Sequence, residues 1–202
     1  MISINKTMCL GGLCPGFMFS DIFNTRILGP VDNVGAYNFK SLLYLFNDKL
    51  FDAILNDKID KKEINEASMD IDDDNYFRYY CNNSNDEYVW AWRTTHNNFE
   101  RNDRKETFKQ RIKNFNSYIE ESKLDKSMYF IYSITEHDYK LGENDLFDVL
   151  EKIPQHVIDK LLIISTHNRQ IPQIFMERFI CISYNLNLLD IDDEINKLWL
   201  GD

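Results

Sequence analysis

Met128-Tyr129-Phe130-Ile131-Tyr132-Ser133-Ile134 and Leu161-Leu162-Ile163-Ile164-Ser165 are short, nearly continuous apolar runs rich in aromatic and β-branched residues. Such runs suit strands covered on both faces, as the strands of parallel sheets are. Between them, Glu143–Ile153 sets Leu146, Val149, Leu150 and Ile153 at helical spacing. Strand, helix, strand is the order of a parallel α/β unit, because a parallel connection must cross over the sheet. Further on, Arg178–Tyr184 reads as another strand. Asp192–Leu200 reads as a closing helix with Ile195, Leu198 and Trp199 inward.

Upstream of Met128, the spacing of Phe108, Ile112, Phe115 and Ile119 predicts a long helix with one apolar face. Its outer face carries Arg104, Lys105, Lys109, Arg111 and Lys113, a solvated stripe or a surface for an anionic ligand. Tyr76–Cys81 and Tyr88–Arg93 are aromatic-rich runs joined by Asn82-Asn83-Ser84-Asn85-Asp86-Glu87, the pattern of a β-hairpin or two neighbouring strands. Residues Asn56 to Asp74 are charged and polar, read as a solvated connection with a short helix around Lys61–Ala67. Asp70, Asp72, Asp73 and Asp74 lack calcium-loop partners: Asn75 stands where glycine is needed and Cys81 where glutamate is. Asn38 is placed to cap a helix bearing Phe39, Leu42, Leu43, Phe46, Leu50 and Ile54, and Gly29–Gly35 before it reads as a loop.

At the amino end, Ile2-Ser3-Ile4 and Met8-Cys9-Leu10 form an apolar strand with a polar interruption. The expected architecture is a single α/β domain over residues 1–202. Strands near Met8, Val89, Phe130, Ile163 and Ile180 should form a mainly parallel sheet flanked by helices, with the β-hairpin as an insertion. No repeat, low-complexity tract or linker divides the chain.

Composition narrows the function classes. Hydrophobic residues make up 44% and aromatic ones 14%, which argues for a packed core and against disorder. The net charge of −10 disfavours a general nucleic-acid binder. Four cysteines without a CxxC pair point to reduced thiols and a cytoplasmic setting. No basic region followed by an apolar run opens the chain, so no signal peptide is expected. No run approaches the ~18 apolar residues of a membrane span.

Chemistry centres on Cys9-Leu10-Gly11-Gly12-Leu13-Cys14-Pro15-Gly16-Phe17-Met18-Phe19. Met18, Phe19, Ile22 and Phe23 recur at helical spacing, predicting a helix to about Ile27. Pro15 suits its first position and Cys14 its N-cap, where the helix dipole lowers a thiol pKa. The bland alternative for Cys14 is an inert core thiol, and Cys9, Cys81 and Cys181 are read that way. Other candidates follow strands: His96, Glu136-His137-Asp138 and Thr166-His167, with His156 read as a surface residue. No H-x-x-x-H, H-E-x-x-H, G-x-S-x-G, phosphate-cradling or G-x-G-x-x-G pattern occurs, so neither metal nor cofactor is expected.

Leu10-Gly11-Gly12-Leu13-Cys14, a helix, then Pro30-Val31-Asp32-Asn33 and an amphipathic helix resemble the start of a bacterial family of papain-like cysteine peptidases of otherwise unknown function. Its members open with Leu-Gly, two residues and Cys, followed by a Pro-Phe-Asp-Trp motif. Later come a His-Asp-Phe-like motif, an Arg-containing helix and an apolar strand. His96-Asn97-Asn98-Phe99, the helix through Arg111 and Met128–Ile134 are similar in order, so the resemblance spans roughly residues 1–134. Val31 and Asn33 replace the aromatic residues, and Asn97 replaces the acid. The resemblance implies Cys14 as nucleophile, His96 as its base and Asp32 as the group that orients the ring. The substrate would be a peptide, an acyl compound or a polar small molecule or glycan. A non-enzymatic or glycan-pathway binding protein, with the same residues lining a cleft, is the competing reading.

Overall fold

A computed structural model describes residues 4–11, 20, 24–31, 34–36, 38–47, 51–52, 55, 60–62, 78–82, 88–93, 101–166 and 170–184. Eight strands are seen there. They are β1 (Lys6–Gly11), β2 (Val34–Ala36), β3 (Asp60–Lys62), β4 (Arg78–Asn82), β5 (Tyr88–Arg93), β6 (Met128–Ser133), β7 (Leu161–Thr166) and β8 (Ile180–Tyr184). The helices are α1 (Leu42–Leu45), α2 (Arg101–Ser122), α3 (Glu143–Leu150), α4 (Gln155–Ile158) and α5 (Gln173–Met176). Phe39–Ser41 and Asp138–Lys140 are single 3-10 turns.

The fold is α/β. Four strands pair in the order β1-β6-β7-β8, every neighbour parallel, with helices along the crossovers. All six residues of β6 are buried, so both faces of this central strand are covered. The anticipated runs at Met128, Leu161 and Ile180 are therefore strands of one parallel sheet.

The strand at Val89 is not in it. β5 belongs to a second, antiparallel sheet of order β2-β5-β4-β3. The hairpin-like pairing of the two aromatic runs is present as β4–β5, with Arg78 opposite Arg93 and Tyr80 opposite Ala91. Two further strands come from stretches read otherwise. Val34–Ala36 overlaps the end of the expected Gly29–Gly35 loop. Asp60–Lys62 replaces the start of the expected short helix, the rest of which lies outside the described residues. In both cases the element is defined by its ladder to a neighbouring strand.

Helix α2 packs its predicted apolar face inward: Phe108 and Phe115 are buried, with Ile112 and Ile119 against the core. Phe115 meets the rings of Phe46 and Phe51. The Tyr118 ring stands edge-on to Phe130, and its hydroxyl donates toward the Lys6 and Tyr129 carbonyls at 2.8 and 2.9 Å. One side chain thus ties α2 to both β1 and β6. Of the basic stripe, Lys109 and Lys113 are exposed, and Lys109 pairs with Glu106.

The carboxyl end of α2 is closed by Lys160, whose ammonium donates to the Ser122 and Asp125 carbonyls. A cation there also complements the helix dipole. Lys160→Met keeps the stem and removes the donors. It should lower stability by about 1–2 kcal/mol in urea unfolding, water replacing part of the lost contact. His156, expected at the surface, is half-buried with Nε2 3.2 Å from the Ile119 carbonyl. The predicted closing helix Asp192–Leu200 and the acidic run Asp70–Asp74 lie outside the described residues.

β1 gains a second neighbour beside β6. Thr25–Ile27 runs along it, with Thr7 N donating to the Thr25 carbonyl and Ile27 N to that of Thr7. The buried hydroxyls of Thr7, Ser20 and Thr25 bond one another under this seam.

Candidate functional site

Parallel α/β sheets bind ligands beyond the carboxyl ends of their strands. At that edge β1 slips register: Cys9 opposes Ile131, but Gly11 opposes Tyr132. This β-bulge ends on Gly11 at φ 135°, a conformation that side chains beyond glycine rarely adopt. The bulge redirects the chain three residues before Cys14.

The end of β6 is organised by one carboxylate. Thr135 N donates to Asp138 Oδ2 at 2.7 Å, and His137 N reaches Thr135 Oγ1 at 3.2 Å. The Asp138 side chain thus reaches back to the Thr135 amide, one half of a capping box, while the 3-10 turn that follows starts at His137 without a side-chain cap. Asp138 also accepts from Phe39 N at 2.7 Å, 99 residues away in the chain. The Tyr132 hydroxyl donates to the same carboxylate at 3.0 Å. Asp138 is fully buried and has no ion-pair partner among the described residues. Burial without a cation pushes its pKa up to about 6, and its donors oppose that rise.

The Phe39 turn is set locally as well. Asn38 caps it through Lys40 N, as the sequence indicated, and Lys40 Nζ pairs with Asp145 Oδ1 of α3 at 3.0 Å. The helix expected to run on from Asn38 begins as a 3-10 turn and gives way to α1. Phe39 itself lies among the rings of Tyr132, Phe175 and Phe179.

Other groups at this edge are quieter. His137 Nε2 lies 3.4 Å from Glu136 Oε1. Ser133 Oγ, at the end of β6, is buried with no hydrogen-bond partner among the described residues. Cys9 is buried, and burial pushes the Cys181 thiol up to about 11, so neither is suited to nucleophilic work.

Cys14, Asp32, His96 and His167 lie outside the described residues, and their mutual geometry is not described. One premise about them changes: His96 follows β5, a strand of the antiparallel sheet, so it does not follow a strand of the parallel one. Asp138 had been one of three candidates at the β6 end. Its part as a hub was signalled by Thr-x-x-Asp, a capping pattern with Asp in the fourth place.

In comparisons with protein-family models, curated proteins and solved structures, nothing matches the chain. Among the described residues, no helix is long and apolar enough to cross a membrane, and no cluster of three His, Cys, Asp or Glu could hold a metal ion.

Proposed function

We propose that this chain is a cysteine-dependent hydrolase or acyl-transfer enzyme with Cys14 as nucleophile, His96 as base and Asp32 as the group orienting the imidazole. The observation that carries the reading is the register of the antiparallel ladder. Val34 opposes Trp92 and Ala36 opposes Trp90, so the start of β2 and the end of β5 lie side by side. The chain enters β2 from Asp32 and leaves β5 toward His96 at that same end. β1 touches β2, and the bulge at its carboxyl end leads to Cys14. Bulges recur beside active sites because they re-aim the chain.

In this mechanism the imidazole takes the thiol proton, the thiolate attacks an acyl carbon, and backbone N–H groups following Cys14 receive the oxyanion. Cys9 and Cys181, as thiols, suit the reducing, cytoplasmic setting such a nucleophile needs. The substrate class is a peptide, an acyl compound or a polar small molecule or glycan.

Thiol labelling tests the proposal. With an alkylating reagent at about pH 6.5, Cys14 should react roughly tenfold or more faster than Cys9, Cys81 and Cys181, its pKa lying below the ~8.5 of a free thiol. His96→Ala should slow that reaction, and Asp32→Asn should slow it less. Equal, slow labelling of all four thiols, unchanged by His96→Ala, would leave the non-enzymatic or glycan-pathway binding reading in its place.

A further inference from the structure

We propose that Asp138 is an acid-tightened latch, whose buried carboxylate, without a cation partner among the described residues, pins the Asn38–Ser41 turn to the end of β6 and loosens that turn, with β2 leading into it, as pH rises. The argument begins with what surrounds the carboxylate. Its donors are neutral: Phe39 N, Thr135 N and the Tyr132 hydroxyl, with the Thr135 hydroxyl bonding it as well. Nearby charges are engaged elsewhere. Lys40 of the turn pairs with Asp145 of α3. His137, on the latch's own loop, faces Glu136. Arg178, beyond α5, sits 4.4 Å over the Phe147 ring. Lys140 is exposed, and β5, which also touches the turn, contributes Tyr88 and Arg93 to its ladder.

A desolvated carboxylate held only by neutral donors favours its protonated form. The site accommodates that proton. Asp138 can donate it to Tyr132 Oη while the Tyr132 hydroxyl turns to Thr135, which already bonds both side chains. The two backbone donors keep their acceptors. When the turn lifts away, Asp138 meets water and its pKa returns toward ~3.9. The open state therefore binds fewer protons than the closed one, and linkage requires rising pH to favour opening. With a closed-state pKa of about 6, the opening constant should rise about tenfold between pH 5 and pH 7.5.

Hydrogen exchange of the full chain tests this at the Phe39–Leu42 amides, after correction for intrinsic exchange. Protection there should fall about tenfold from pH 5 to 7.5; protection that stays flat or rises would overturn the proposal. Asp138→Asn keeps the shape and an acceptor oxygen but cannot titrate, so the pH dependence should vanish in that variant. A dependence that persists unchanged there counts against the latch. His137→Gln should leave the dependence intact, and its loss in that variant would assign the effect to the imidazole instead.

Discussion

Phe39→Ala should destabilise the protein by about 3–5 kcal/mol, the range for removing a buried phenylalanine. Phe39 is fully buried and makes edge-on contact with Tyr132 at 5.0 Å and Phe175 at 5.1 Å between ring centroids, with Phe179 at 5.8 Å. Those rings come from β6, from α5 and from the approach to β8, so one side chain joins the parallel sheet and two parts of its flank to the turn after β2. Aromatic pairs of this geometry contribute about 0.5–1.5 kcal/mol each beyond buried area. Against a typical total of about 5–15 kcal/mol, the loss approaches the margin of folding. The measurement is the urea midpoint with the slope held as a check on two-state behaviour. Phe39→Leu should cost appreciably less, because it leaves a smaller cavity. A loss under about 1 kcal/mol for Phe39→Ala would show that the site collapses readily, contrary to the close ring packing.

Asp138→Ala should cost about 3 kcal/mol at pH 5. It strands two buried backbone donors and a phenol, each worth about 1–3 kcal/mol when left unpaired, while removing the burial penalty of the carboxyl group itself. The sign of the pH dependence follows from the raised pKa. Stability from Asp138 is fully present below the unfolded value near 3.9 and is lost as pH rises through about 6. The cost of Asp138→Ala should therefore shrink by about 1.4 kcal/mol between pH 5 and 7.5, which is one decade of the linked proton equilibrium. Urea unfolding at the two pH values reads both numbers. A cost that grows with pH would mean that the native carboxylate is held charged.

The parallel sheet was legible because its strands announce themselves. Phe130, Ile131 and Tyr132, or Leu162, Ile163 and Ile164, are apolar on successive residues, short β-branched and aromatic runs of the length that suits a strand covered on both faces. The face of α2 was equally plain from Phe108, Phe115 and their i+4 neighbours. The antiparallel sheet was half legible: aromatic β4 and β5 carry a strand signal, but their sheet is chosen by pairing distant in sequence. Asp60–Lys62 has three charged residues and joins the sheet through its ladder to Arg78–Tyr80. Gly35 marked a loop and sits in β2 opposite Ala91.

At the candidate site, residue types and spacing picked out the end of β6, yet not which of Glu136, His137 and Asp138 would turn inward. That choice depends on Phe39 N, supplied from far up the chain. Asn38 was a readable cap because its oxygen serves an amide two residues on.

The late arrival of β6 beside β1 gives the chain a timetable. β1 ends at Gly11, and its parallel partner begins only at Met128. At ~5–20 residues per second, the ribosome takes about 6–23 s to cover the interval between the two strands. Thr25–Ile27, by contrast, follows β1 almost at once and can occupy one of its edges. The other edge stays without its partner while the entire antiparallel sheet and α2 are being made. The remaining strands of the parallel sheet then follow one another closely, each joining the one made before it, so the sheet grows outward from β1 in the order of synthesis.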